Sequence, residues 1–311
     1  MKRIFLLFAA AVMSVGMASA QDINKAIEAA NSGNEAFQMG EYQLAIDAFK
    51  NSLAIAEGLG EQGAEHAGTC KTAICNIYLA FAKNLIKSSD FDGALVKLEE
   101  TISVANGYGA TDTAEEANKL IPQVYMQKGN TALKAKDMAG AIAAYTKVVE
   151  LDPTNGDAYL RIGRAYAASG KLEEAVAAYE TAATNGEETD AKKQLSTLFL
   201  KKAQASLKAG ANQEVIDYAL KANSYLENAN AYKLAASAAQ KLKNNAQCIE
   251  FYEKYLEIKP NAKDAAGVTF TIAALYQQLG NNAKAIENYE KVASDPQYGA
   301  GAQEQLKVLK K

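Results

Sequence analysis

Apolar residues in this chain recur three and four positions apart, in paired segments joined by short polar turns. That is the spacing of amphipathic helices lying against one another. The pairing is clearest between Tyr125 and Ala183. There the chain reads GNTALKAKDMAGAIAAYTKVVELDP and then GRAYAASGKLEEAVAAYETAATNG, the second stretch 34 residues after the first. Tyr125 falls on Tyr159, Gly129 on Gly163, Ala141 on Ala175 and Tyr145 on Tyr179. A fixed offset of this size is the period of a helix–turn–helix unit repeated in tandem.

The recurring residues answer a packing problem. Each unit has a first helix, A, and a second, B, crossing as antiparallel neighbours. Gly129 and Gly163 on A are expected to face Ala141 and Ala175 on B, where the backbones approach most closely. The tyrosines at 125, 145, 159, 166 and 179 should fill the space where the helices diverge. Lys136-Asp137 and Ser169-Gly170 read as the turns between A and B. Asp152-Pro153-Thr154-Asn155-Gly156 stops a B helix, because proline cannot continue one and Asn and Gly tolerate turn geometry.

This pattern resembles the tetratricopeptide repeat, with a small residue at repeat position 8, Ala at 20, an aromatic at 24 and Pro at 32. The resemblance extends over about residues 23–311. It implies an all-α fold, an α-solenoid of about seven repeats forming a right-handed superhelix. Repeats start near 26, 75, 122, 156, 196, 229 and 266, so the first two are extended, to 49 and 47 residues. Helices are expected at 23–38 and 41–57. The run from Glu61 to Ser88 should lengthen the next A helix. Pro122 should break or kink the helix that contains it, since proline is most at home in a first turn. Gly301 to Leu309 reads as a C-terminal capping helix, which a repeat stack needs to cover its last apolar face.

Residues 1–20 read as a separate object, a signal peptide. Lys2 and Arg3 precede the apolar run Ile4 to Met13, and Ala18-Ser19-Ala20 forms a small-residue cleavage site before Gln21. About ten apolar residues fall short of the ~20 needed to span a bilayer, so the mature chain should carry no transmembrane segment and be periplasmic or secreted. It would keep 31 basic and 36 acidic side chains, a net charge of −5. That balance favours solubility and selects no partner class. Cys70, Cys75 and Cys248 read as small buried fillers.

No catalytic constellation is present in the sequence. His66 is the one histidine, read as lying on a helix surface, so neither a His pair for zinc nor a relay is available. There is no phosphate loop and no nucleophile elbow. Glu99-Glu100 and Glu173-Glu174 are adjacent on B helices, where side chains diverge by ~100° and cannot share a proton. The chain reads as a non-enzyme that needs no cofactor and no metal.

In the resembled family the A helices line the ligand groove through repeat positions 2, 5, 9, 12 and 13. Here the charged residues at those positions are Lys83, Lys87, Lys134, Arg164, Lys208, Lys233 and Lys241, against Asp157 alone. Asn34 and Asn130 occupy position 9, where relatives use Asn to hold a peptide backbone. Met126 stands where a two-carboxylate clamp would need lysine. The expectation is a scaffold in the cell envelope that binds a protein or peptide, with an acidic or C-terminal carboxylate segment in the groove. An alternative is a polysaccharide or cell-wall-fragment binding protein, which would expose aromatics in the groove; Phe37 and Phe270 are the aromatics at groove positions. Export would remove nucleic acid as a partner.

Overall fold

The turn between the two helices of a repeat has one geometry throughout the chain. At repeat position 15 the backbone enters the left-handed region, at Gly40, Ser89, Lys136, Gly170, Gly210, Lys243 and Gly280. The next amide then donates back to a carbonyl five residues upstream, as in Glu41 N to Ala36 O (2.9 Å), Lys171 N to Tyr166 O (3.0 Å) and Asn281 N to Tyr276 O (2.9 Å). This closure satisfies carbonyls that the end of helix A leaves bare. In several repeats the next residue caps helix B. Asp90, Asp137, Asn244 and Asn281 each accept from a backbone amide three residues on. The same left-handed closure thus recurs at seven turns among the described residues.

The computed structural model describes residues 21–311. The signal segment expected at 1–20 lies outside the described residues. The chain divides into two units, at Pro153 and Thr154. The first holds α1 (residues 21–38), α2 (Tyr42–Gly58), α3 (Ala64–Lys87), α4 (Phe91–Tyr108), α5 (Thr111–Lys134) and α6 (Met138–Leu151). The second holds α7 (Gly156–Ala168), α8 (Leu172–Ala182), α9 (Glu188–Ala209), α10 (Asn212–Tyr225), α11 (Ala229–Lys241), α12 (Asn245–Ile258), α13 (Ala265–Gln278), α14 (Asn282–Lys291) and α15 (Gly299–Leu309). Within each unit, helices consecutive in sequence pack on one another, which is the solenoid arrangement. No strand occurs among the described residues.

The close approach inside a hairpin differs from the expected one. The glycine at position 8 makes room for the aromatic at position 24, not chiefly for the alanine at 20. A Cβ on Gly129 would lie 2.5 Å from the Tyr145 ring, one on Gly163 2.6 Å from Tyr179, and one on Gly33 2.6 Å from Phe49. Ala45, Ala141 and Ala175 are fully buried beside these contacts. The ring occupies the space that a Cβ on helix A would take, and that sets how near the helices come.

Two boundaries also depart from expectation. Pro122 lies inside α5, which runs without a break from Thr111 to Lys134. One lost amide bond is outweighed because α4 packs along α5 and buries Ala117 and Val124 on both sides of the proline. Helix α9 begins at Glu188, well before the repeat start at 196. No proline ends α8; the backbone kinks at Asn185 (φ −108°, ψ 36°) and Gly186 (φ +95°), and α9 starts directly after.

At the far end, α15 starts at Gly299, two residues earlier than read. It buries Ala302, and Leu306 and Leu309 pack on the core shared by α9 to α14. In the first unit, Cys70 and Cys75 are buried on different sides of α3, each in its own apolar cluster. His66 is not a plain surface residue. Its Nε2 lies 2.9 Å from the Oγ of Ser52, which donates to Ala26 O at 2.6 Å and lies 3.2 Å from Cys70 Sγ. The hydroxyl proton goes to the carbonyl, so Nε2–H and the thiol must donate to Ser52. A fully buried serine thereby ties α1, α2 and α3 together.

Candidate functional site

In the second unit a cleft of about 210 Å³ opens between the A helices α7 and α9. Arg164, Ala167 and Ala168 supply its α7 wall; Gln194, Thr197, Leu198 and Lys201 supply the α9 wall. Tyr179 of α8 forms the floor. The repeat architecture dictates this arrangement. Gly163 admits the Tyr179 ring beneath helix A, and the two alanines that follow leave a hollow where longer side chains would close it. The extra N-terminal turns of α9 bring Gln194 level with that hollow.

Two cations stand at the cleft. Arg164 and Lys201 are both exposed, and neither has an ion-pair partner among the described residues. Burial pushes the Tyr179 phenol up to about 12, against the opposing pull of the Arg164 charge. The floor therefore stays neutral across the physiological range. A carboxylate placed between Arg164 and Lys201 would gain two charge-assisted hydrogen bonds. Leu198 and the Tyr179 ring would receive its methylene stem.

Elsewhere the sequence-derived residues divide by surroundings. In the second unit Lys208 and Lys241 are exposed, again without an ion pair among the described residues. Lys233 is not available as a bare cation: it pairs with Asp264 and lies 5.5 Å over the Tyr255 ring. Asp264 also accepts from the Tyr255 hydroxyl at 2.6 Å. Hydrogen bonds from Lys233 and then Tyr255 hold its carboxyl below the usual range, while Tyr255 itself is pushed up to about 12. In the first unit Lys83 pairs with Glu116 at 2.6 Å, and Asn130 Oδ1 accepts from the Tyr145 hydroxyl at 2.7 Å. Lys87 and Lys134 are exposed and lack an ion pair among the described residues. The count of seven cations against one acid thus overstated the open positive charge. Glu116 and Asp264 lie outside repeat positions 2, 5, 9, 12 and 13, yet each reaches a lysine about one repeat earlier.

Lys201 is the residue that position-counting missed. It sits at repeat position 6, outside the expected set. Nothing in the repeat positions marks it; the helix-compatible, proline-free run from Glu187 onward marks Gln194, which lies in the turns added ahead of the repeat. The aromatics at groove positions are occupied by neighbours: Phe37 packs edge-on against Tyr42, and Phe270 lies against Tyr289 and Tyr298. No group of three or more metal-ligating side chains is gathered among the described residues. No helix among them is long and apolar enough to cross a membrane.

A tetratricopeptide-repeat family model matches residues 132–188. A second model of the same description matches 229–262 and 267–294. No curated protein matches the chain. Among solved structures, the MamA protein is 22% identical, with 59% of this chain and 96% of that one covered and a TM-score of 0.34. YrrB, described as a TPR protein with an unusual peptide-binding site, is 21% identical, with 62% and 97% covered and a TM-score of 0.32. PilF of Pseudomonas aeruginosa is 19% identical, with 61% and 92% covered and a TM-score of 0.28.

Proposed function

Since the chain belongs to the tetratricopeptide-repeat family, and so is a scaffold for protein–protein contacts, we propose that its second unit holds an acidic segment of a partner protein. The observation that carries this reading is the cleft between α7 and α9, with Arg164 and Lys201 at its mouth and no acid in its lining. Lys208, exposed further along α9, and Lys241, exposed on the next A helix α11, extend the positive field and steer an anionic chain toward it. The partner's carboxylates pair with the cations while its stems cover Leu198 and Tyr179.

We further propose that the scaffold works outside the cytosol, in the periplasm or beyond the cell. The support is the basic, apolar and small-residue order of positions 2–20. Secretion of a tagged full-length chain, with a mature N-terminus at Gln21, is the expected outcome; a chain retained uncleaved in the cytosol contradicts it.

Binding is tested on an array of peptides of graded charge, probed with the wild-type chain and with the variant Arg164→Glu/Lys201→Glu/Lys208→Glu. All three residues are exposed, so the fold should survive, which circular dichroism would verify. Wild-type signal should rise with carboxylate content, and the variant should lose that ranking. An identical ranking for both proteins refutes the reading.

A further inference from the structure

We propose that the segment recognised by the second unit has two blocks, an acidic one and a neutral block of amide and hydroxyl side chains about eight residues away. The inference rests on the acidic-segment reading above and adds the other half of the partner. Its basis is a second cleft, of about 390 Å³, lined by Phe270, Ala274, Gln277, Gln278, Tyr289 and Gln305. No charged side chain lines it.

Along the A helices of this unit the chemistry changes in one direction. Helix α7 contributes Arg164, α9 contributes Lys201 and Lys208, and α11 contributes Lys241. The other α11 cation, Lys233, is cancelled by Asp264. On α13, Gln278 stands at the repeat position that Lys208 and Lys241 occupy on α9 and α11, Gln277 stands beside it, and α15 adds Gln305. These amides are held ready by one another. Gln277 Nε2 donates to Gln305 Oε1 at 3.1 Å and its Oε1 accepts from the Tyr289 hydroxyl at 3.0 Å. Gln278 Oε1 accepts from Asn245 at 2.9 Å.

An amide offers both a donor and an acceptor, so such a surface suits neutral polar groups. A carboxylate there would lose its water without gaining a cation. The Phe270 ring, covered by Tyr289 and Tyr298, gives the cleft an apolar wall rather than an open stacking platform. Packed helices lie about 8–10 Å apart, so three steps along the unit separate the clefts by roughly 27 Å. An extended chain rises ~3.3 Å per residue, which sets the spacing at about eight residues.

The test is fluorescence anisotropy on the full chain with three labelled peptides. One is a Glu-rich block in a Gly-Ser frame. The second adds an Asn/Gln/Ser block eight residues away, made in both chain directions. The third replaces that block with Lys. The two-block peptide, in one direction, should bind roughly tenfold tighter than the acidic block alone, the worth of one or two net hydrogen bonds. The gain should vanish in Gln278→Leu/Gln305→Leu, while affinity for the acidic block stays unchanged. The Lys peptide should show no gain. Failure of any peptide to bind, or binding indifferent to Arg164→Glu/Lys201→Glu, overturns the acidic-segment reading itself. Charge-dependent binding of the acidic block without a gain from the second block overturns only the present proposal.

Discussion

Adding one methyl group to Gly163 should change sign in its effect according to what stands at residue 179. In the wild-type chain the new Cβ would fall 2.6 Å from Cδ1 and 2.7 Å from Cε1 of Tyr179, well inside van der Waals contact. Overpacking of this kind costs about 1–3 kcal/mol. The lower part of that range applies, because the chain itself pairs Ala273 with Tyr289 at the same two repeat positions. The ring can therefore be moved aside at moderate cost. Against the clash stands the gain from replacing glycine inside α7, about 1 kcal/mol in helix propensity. Gly163→Ala should thus be neutral to about 1 kcal/mol destabilising. Tyr179 Cγ would itself lie 3.0 Å from the new Cβ. The comparison background is therefore Tyr179→Ala, where no ring or γ atom remains to meet the methyl group, and the same change should stabilise by up to ~1 kcal/mol. Urea denaturation of the four proteins, followed by far-UV circular dichroism, gives the coupling, expected at about 1–2 kcal/mol. A coupling below ~0.5 kcal/mol, the ordinary error of additivity, would show that the ring is not what the glycine makes room for.

Other consequences follow from single sites. Ser52→Ala strands the Ala26 carbonyl and the His66 Nε2–H in the first unit, and should cost about 1–3 kcal/mol in the same urea assay; a change under ~0.5 kcal/mol would refute the three-helix tie. Lys243→Gly relieves a left-handed residue at φ +57° and should stabilise by about 1 kcal/mol, read as a raised midpoint without a changed slope. Alkaline pH should weaken the second unit. Burial raises the Tyr179 phenol to about 12 and the Cys248 thiol to about 11, and burial with Glu180 raises Tyr225 to about 12. A group whose folded pKa is raised contributes fully below its unfolded value and loses that contribution as pH climbs through the folded one. Stability should therefore fall between about pH 9 and 12, measured as the thermal midpoint; a flat profile there contradicts the burial of these groups.

Much of this architecture can be read from the chain because each rule acts within one repeat. The 16-residue interval from Gly33 to Phe49, Gly129 to Tyr145 and Gly163 to Tyr179 is one crossing of two helices, and both partners are visible in sequence. Turn position 15 is legible at Gly40, Gly170, Gly210 and Gly280. It is read at Lys136 from the repeat offset and hidden at Ser89 and Lys243; at all three the backbone closure outweighs an unsuitable residue. What stayed obscure depends on neighbours. Pro122 looks like a helix breaker until α4 is laid along it. The start of α9 follows the break at Asn185-Gly186, a turn dipeptide whose effect on the next helix lies outside the 34-residue register. Lys83 and Lys233 look like open cations until Glu116 and Asp264, 33 and 31 residues on, are brought alongside. Gln194 lines the cleft only because α9 begins early, and Lys201 because position 6 of this helix faces α7.

Hydrogen exchange on the full-length chain, with and without a glutamate-rich peptide at saturating concentration, tests most directly where an acidic partner lies. Protection should rise in α7 and α9, over residues 160–168 and 194–201, and the rise should fade with added salt. Unchanged exchange in those two helices, with protection appearing on the B helices or nowhere, would contradict the cationic cleft as the binding site.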